Sequence, residues 1–150
     1  MTSSTLLFNS TDLRSITGVV IEDISGVYAP GTRRSSDDVI PGQRGVLAAT
    51  NLVYDQFQFS IPVSIGAATE ATLHDAIDAL AAVVVTSTGL GPLERRLQHT
   101  SGLVAATASG RFVGFSGWTR DNDVTVGVEL VFANLDGAWK RSSDNVWVVP

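Results

Sequence analysis

The side chains with chemistry to offer are few and scattered. His74 and His99 are the two histidines of the chain, and cysteine is absent. A Ser/His/Asp set can be written on paper from Ser101, His99 and any Asp, but a triad is defined by geometry and mutual roles. No Gly-x-Ser-x-Gly elbow presents a serine as a nucleophile. Lack of Cys excludes thiolate chemistry, disulfides and Cys-rich zinc sites. Asp121-Asn122-Asp123 begins like a calcium loop, but Val126 and Phe132 stand where that loop needs Gly and Glu. The run therefore reads as a hairpin turn. Gly89-Leu90-Gly91 is followed by Pro92 instead of Gly-Lys-Ser/Thr, which makes it a helix-to-strand connection and not a phosphate cradle. Nothing sets paired acids such as Asp37 and Asp38 across a cleft, as glycoside hydrolysis requires. The expectation is a protein that is not an enzyme, with no cofactor and no metal.

What remains is the chemistry of contact. Arg95-Arg96 beside Glu94 reads as a phosphate site or as an interface where arginine meets a neighbour's carboxylate, and the second reading is preferred. A polar segment from Pro30 to Gly45 is bracketed by Pro-Gly pairs and carries Arg33, Arg34, Asp37, Asp38, Ile40 and Arg44. Such a loop is unusually long for a small domain, and long loops commonly meet something. Trp118 lies in an apolar strand and is assigned to the core. Trp139 and Trp147 lie in polar surroundings and are assigned as anchors of an extended C-terminal arm on an adjacent subunit. The tryptophans also leave open a saccharide-binding module.

The elements that would position these residues follow from periodicity. Strands are expected at Thr5–Phe8 and Ile16–Ile24. Leu52–Ile65 is the clearest strand: Phe57, Phe59, Ile61, Val63 and Ile65 alternate with Gln56, Gln58, Ser60, Pro62 and Ser64. Pro62 lacks an N–H, which requires an edge, a bulge or the outer half of a strand. Leu73, Ala76, Ile77, Leu80, Ala81 and Val84 make one apolar stripe at helical spacing, predicting a helix over 70–84 with Thr69 as N-cap. Leu93–Gln98 and Leu103–Ala108 read as strands, and Arg111–Thr119 with Val124–Ala133 as a hairpin. The fold class is β-rich α+β, a sandwich or open barrel with one packed helix.

At 150 residues the chain fits one domain with a true core. The net charge of −5 argues against general nucleic-acid binding on an outer surface, and the basic residues are spread along the chain. No secretory signal opens it, and the longest apolar run, Ala79–Val85, is far below the ~20 residues that span a bilayer, so no membrane anchor is expected.

This order of parts resembles one family. A strand is followed by the charged loop, the turn Ile40-Pro41-Gly42-Gln43-Arg44-Gly45, an alternating strand through Tyr54 and Phe57, an Ala/Leu helix ending near Val84, and antiparallel strands. The pattern, over roughly residues 16–139, is similar to the ring-forming N-terminal domain of distal tail proteins of long-tailed, non-contractile bacteriophages. These belong to the wider tail-tube fold. The resemblance implies a hexameric ring at the virion tail tip around a DNA channel, between the tail tube protein and the tail-tip hub protein. It implies a ring-forming domain over 1–137 and an arm over 138–150, with no room for the carbohydrate-binding-like domain many relatives add. The ring interface would take Arg33, Arg34, Asp37, Asp38, Ile40, Arg44, Arg95, Arg96, Trp139 and Trp147. Gln56, Gln58, Ser60, Thr125 and Glu129 would line the channel. A major tail tube subunit, stacking into a tube, is the alternative within the same fold.

Overall fold

The computed structural model describes residues 4–28, 33–34, 53–54 and 56–148. Among them run β1 (Thr5–Phe8), β2 (Thr11–Asp12), a 3-10 turn at Leu13–Ser15, β3 (Val19–Ile21), a second 3-10 turn at Ser25–Tyr28, β4 (Arg33–Arg34), β5 (Val53–Tyr54) and β6 (Phe57–Gly66). Then follow α1 (Glu70–Val84), β7 (Leu90–His99), β8 (Gly102–Asn122), β9 (Thr125–Asn134), β10 (Trp139–Arg141) and β11 (Trp147–Val148).

One antiparallel sheet organises the molecule, in the order β2-β1-β7-β8-β9-β6-β3. It is a mostly-β half-barrel with a single helix among the described residues, in line with the β-rich α+β class read from the sequence. β4 and β5 form a separate two-stranded ribbon, pairing Arg33 with Tyr54 and Arg34 with Val53. That pairing removes Arg33 and Arg34 from the loop expected over 30–45.

β6 alternates as its sequence demands. Phe57, Phe59, Ile61, Val63 and Ile65 are buried, and the residues between them are not. Its neighbours are β9 and β3. Pro62 fits because its carbonyl, on the β3 side, accepts from Glu22 N–H just past the end of β3. The missing donor therefore falls beyond the last β3 pair. The run Ile16–Ile24 yields only three strand residues. Gly18 takes φ 85°, and a Cβ there would strike the Gly66 carbonyl, so the chain turns before it can pair.

α1 spans the predicted residues. Thr69 Oγ1 accepts from Thr72 N–H at 3.2 Å and Thr72 Oγ1 accepts from Thr69 N–H at 3.0 Å, a reciprocal cap. Leu73, Ala76, Leu80 and Val84 are buried and seat the helix on the inner face of the sheet. The core there is aromatic. Phe132 lies 5.4 Å from Phe8, 5.9 Å from Phe59 and 5.5 Å from Phe112 between ring centroids.

Two expected strands, Leu103–Ala108 and Arg111–Thr119, are one strand of 21 residues. Gly110 lets it continue, since a Cβ there would overlap the Leu93 side chain. Its first half pairs with β7 as far as Leu90↔Arg111. Its second half pairs with β9 alone, through register shifts at Phe112/Gly114, Ser116/Thr119 and Arg120/Asn122.

Candidate functional site

The residues with catalytic potential do not converge. Among the described residues no hydrogen bond joins a histidine to a serine hydroxyl, and no group of three or more His, Asp or Glu is placed to hold a metal. His74 Nε2 lies 3.7 Å from Glu70 Oε1, on the exposed side of α1. The same Glu70 oxygen accepts from Arg120 Nη2 at 3.2 Å, which ties the hairpin tip to the first turn of the helix. Hydrogen bonding to Arg120, then its charge, holds the Glu70 carboxyl below its ordinary value. The Asp121–Asp123 run is the hairpin turn expected of it: Asn122 Oδ1 accepts from Val124 N–H at 2.8 Å.

The residues expected to line a channel fare differently. Gln58 and Ser60 on β6 and Thr125 and Glu129 on β9 share the outer face of the sheet, opposite the helix. Pro62 pairs with Glu129 and Gly66 with Thr125, so the two strands present one surface. Gln56 is exposed just ahead of β6. Ser64, Gly127, Val131 and the buried Ala133 complete this face, and its side chains are mostly short and uncharged.

The tandem arginines separate. Arg96 points outward, where Nη2 meets Glu94 Oε2 at 2.9 Å. Arg95 points inward between Leu93 and Leu97 and is only 7% exposed. Its guanidinium lies over the Trp139 ring at 5.2 Å. Burial pushes Arg95 down from its ordinary value, and the nearby Tyr28 opposes this. The interface expected at this pair is therefore not one surface. The sequence carried a signal for the split, since Leu93, Arg95 and Leu97 stand two apart on one strand face.

Trp139 corrects the expectation placed on it. It is fully buried and donates from Nε1 to the Val27 carbonyl at 3.2 Å, within its own chain. It reaches that position because β10 pairs with β8, Lys140 opposite Thr107 and Arg141 opposite Ala106. The segment after 137 thus contributes to the core and is not only an arm. Trp147 is half exposed, with Lys140 Nζ at 5.8 Å from its ring. Trp118, assigned to the core, is also half exposed. It ends an aromatic line from Phe132 through Phe112 and Phe115, the last steps being 5.0 and 5.3 Å. Asp37, Asp38, Ile40 and Arg44 lie outside the described residues.

Sequence periodicity gave no sign of the feature that dominates this end of the sheet. From Val113 to Asn122, β8 has β9 on one side and no strand on the other among the described residues. Val113 and Trp118 stand half exposed beside that open edge. An unpaired edge of this length is a ready template for another strand.

The fold and its surfaces define a class: a half-barrel sheet with one helix behind it and a bare outer face. Among solved structures, the chain is similar to the crystal structure of the Dit protein (gp 19.1) of SPP1, described as a paradigm of hub adsorption apparatus in phages that infect Gram-positive bacteria. The match has a TM-score of 0.60 at 16% identity and covers 98% of this chain and 52% of that one. This chain therefore spans about half the length of that protein. No protein-family model and no curated protein sequence matches it.

Proposed function

We propose that the chain is a structural, non-enzymatic subunit of the tail tip of a long-tailed phage, made in the bacterial cytoplasm and resident in the virion. Six copies would close a ring around a DNA channel, joining the tail tube protein to the hub protein. The observation that carries this reading is the similarity of fold to Dit over nearly the whole chain. Two features support it. The outer face of β6 and β9 is smooth and carries Glu129 as its charged side chain, so it suits a wall past which DNA slides without sticking. The open edge of β8, with Val113 and Trp118 beside it, suits a head-to-tail contact that repeats until the ring closes.

On this reading the ring-forming body runs on through Trp139 instead of stopping at 137. Arg33, Arg34, Asp37, Asp38, Ile40, Arg44, Arg96 and Trp147 are the remaining interface candidates. Electron microscopy and native mass measurement of the purified chain, alone and with tube and hub proteins, test the assignment. Six-membered rings are expected. Stable monomers under every condition would overturn it, and long tubes would move the subunit from tail tip to tail tube.

A further inference from the structure

Arg95 holds a charge that no carboxylate neutralises among the described residues. Among the described residues it has no carboxylate partner and no hydrogen bond; the face of Trp139 lies against it and the Tyr28 phenol is nearby. Every buried side-chain nitrogen or oxygen sealed from solvent among them has a partner. The guanidinium of Arg95 must therefore open onto space, and it does. Arg95, Leu97, His99, Val104, Ala106 and Arg141 line a cavity of about 80 Å³. Arg141 uses its Nε on Asp144 at 3.0 Å, which leaves its Nη groups as further donors at the rim.

The cavity chooses its guest by size and wall. At about 80 Å³ it admits a carboxylate on an aliphatic stem. Guanidinium groups match planar oxyanions with paired hydrogen bonds, and they do so most strongly away from bulk water. Leu97, Val104 and Ala106 offer an apolar wall to an aliphatic stem. A carboxylate carried on a short aliphatic stem, as in glutamate or aspartate, matches both the guanidinium and that wall, whereas a bare inorganic anion matches only the first.

We propose that this cavity is a carboxylate-binding site, filled by a glutamate or aspartate side chain of a neighbouring protein chain. Arg95 at its floor and Arg141 at its rim are the donors. The proposal concerns one end of the sheet and does not depend on the ring or on the phage assignment.

The test uses the full chain, isotope-labelled, at constant ionic strength set with chloride. It is titrated with N-acetyl-glutamate methylamide, with the corresponding glutamine derivative, with acetate and with inorganic phosphate. The glutamate derivative is expected to give saturable shifts of the Trp139 indole and the Val104 and Ala106 amides. The glutamine derivative is expected to bind at least about tenfold more weakly, as is the glutamate derivative to Arg95→Gln and to Arg141→Gln. If Arg95→Gln fails to fold, Arg141→Gln and the two derivatives on the unchanged chain still decide. Equal binding of both derivatives, or no saturable shift, would overturn the site. Tighter binding of acetate or phosphate would reassign it to a free anion and overturn the protein-borne carboxylate.

Discussion

The two halves of β8 are a controlled comparison within one strand. From Gly102 to Arg111 it has a partner on its β7 side throughout, and its inward residues Ala106, Ala108 and Gly110 are buried. Beyond Phe112 it keeps β9 alone, its register slips three times, and most side chains are exposed. Composition does not explain the difference, because the second half holds Phe115, Trp118 and Val113. Cover does. A strand face becomes core only where an apolar layer sits on it, and α1 meets the tip of this half through the exposed Arg120–Glu70 ion pair. Apolar residues on an uncovered half are left for a partner.

Breaking the covered half has the largest expected effect. Phe132→Ala removes a fully buried ring in contact with Phe8, Phe59 and Phe112. It is expected to cost about 3–5 kcal/mol in urea unfolding. Thr69→Ala deletes the acceptor of the α1 cap while Thr72 stays in place. About 1 kcal/mol is expected, seen as a lower urea midpoint with an unchanged slope. Trp118→Ser acts on the uncovered half and should change monomer stability by no more than about 0.5 kcal/mol. It should nonetheless weaken self-association measured by sedimentation. A stability loss as large as that of Phe132→Ala would erase the contrast between the halves.

The smallest effect is electrostatic. Glu70 has its carboxyl held down by Arg120, so the tie between hairpin tip and helix is complete above the ordinary value of 4.5 and is lost as pH falls through the lowered folded value. Amide exchange at Asp123 and Val124 should then quicken relative to the Phe132 region. No such relative change on acidification would mean that the tie does not restrain the tip.

The legible parts of this fold were those whose own pattern is long. The stripe from Leu73 to Val84, the cap at Thr69 and the alternation from Phe57 to Ile65 each contain enough repeats to fix element and face. β10 is three residues long and sends Trp139 inward ahead of Lys140 and Arg141, too short for a period to show. Trp118 differs for the opposite reason: its strand is plain in the sequence, but a sequence does not say where the neighbouring strand β7 stops. The polar sides of β6 and β9 were each readable from alternation, but that Gln58, Ser60, Thr125 and Glu129 share one face needed the pairing of the two strands. The cavity at Arg95 needed the fold, since Arg141 reaches it from β10, far along the chain.

The length of β8 carries one more consequence. At about 3.3 Å per residue its 21 residues would reach about 70 Å if straight, well beyond the roughly 30–40 Å breadth of a compact chain of this size. It must therefore bend within the body or stand out from it, and both halves must share it. A molecule joined this way has no seam at which to come apart in stages. Heating or denaturant should melt the β7 side and the β9 side together, with tryptophan fluorescence and far-ultraviolet circular dichroism tracing one coincident transition.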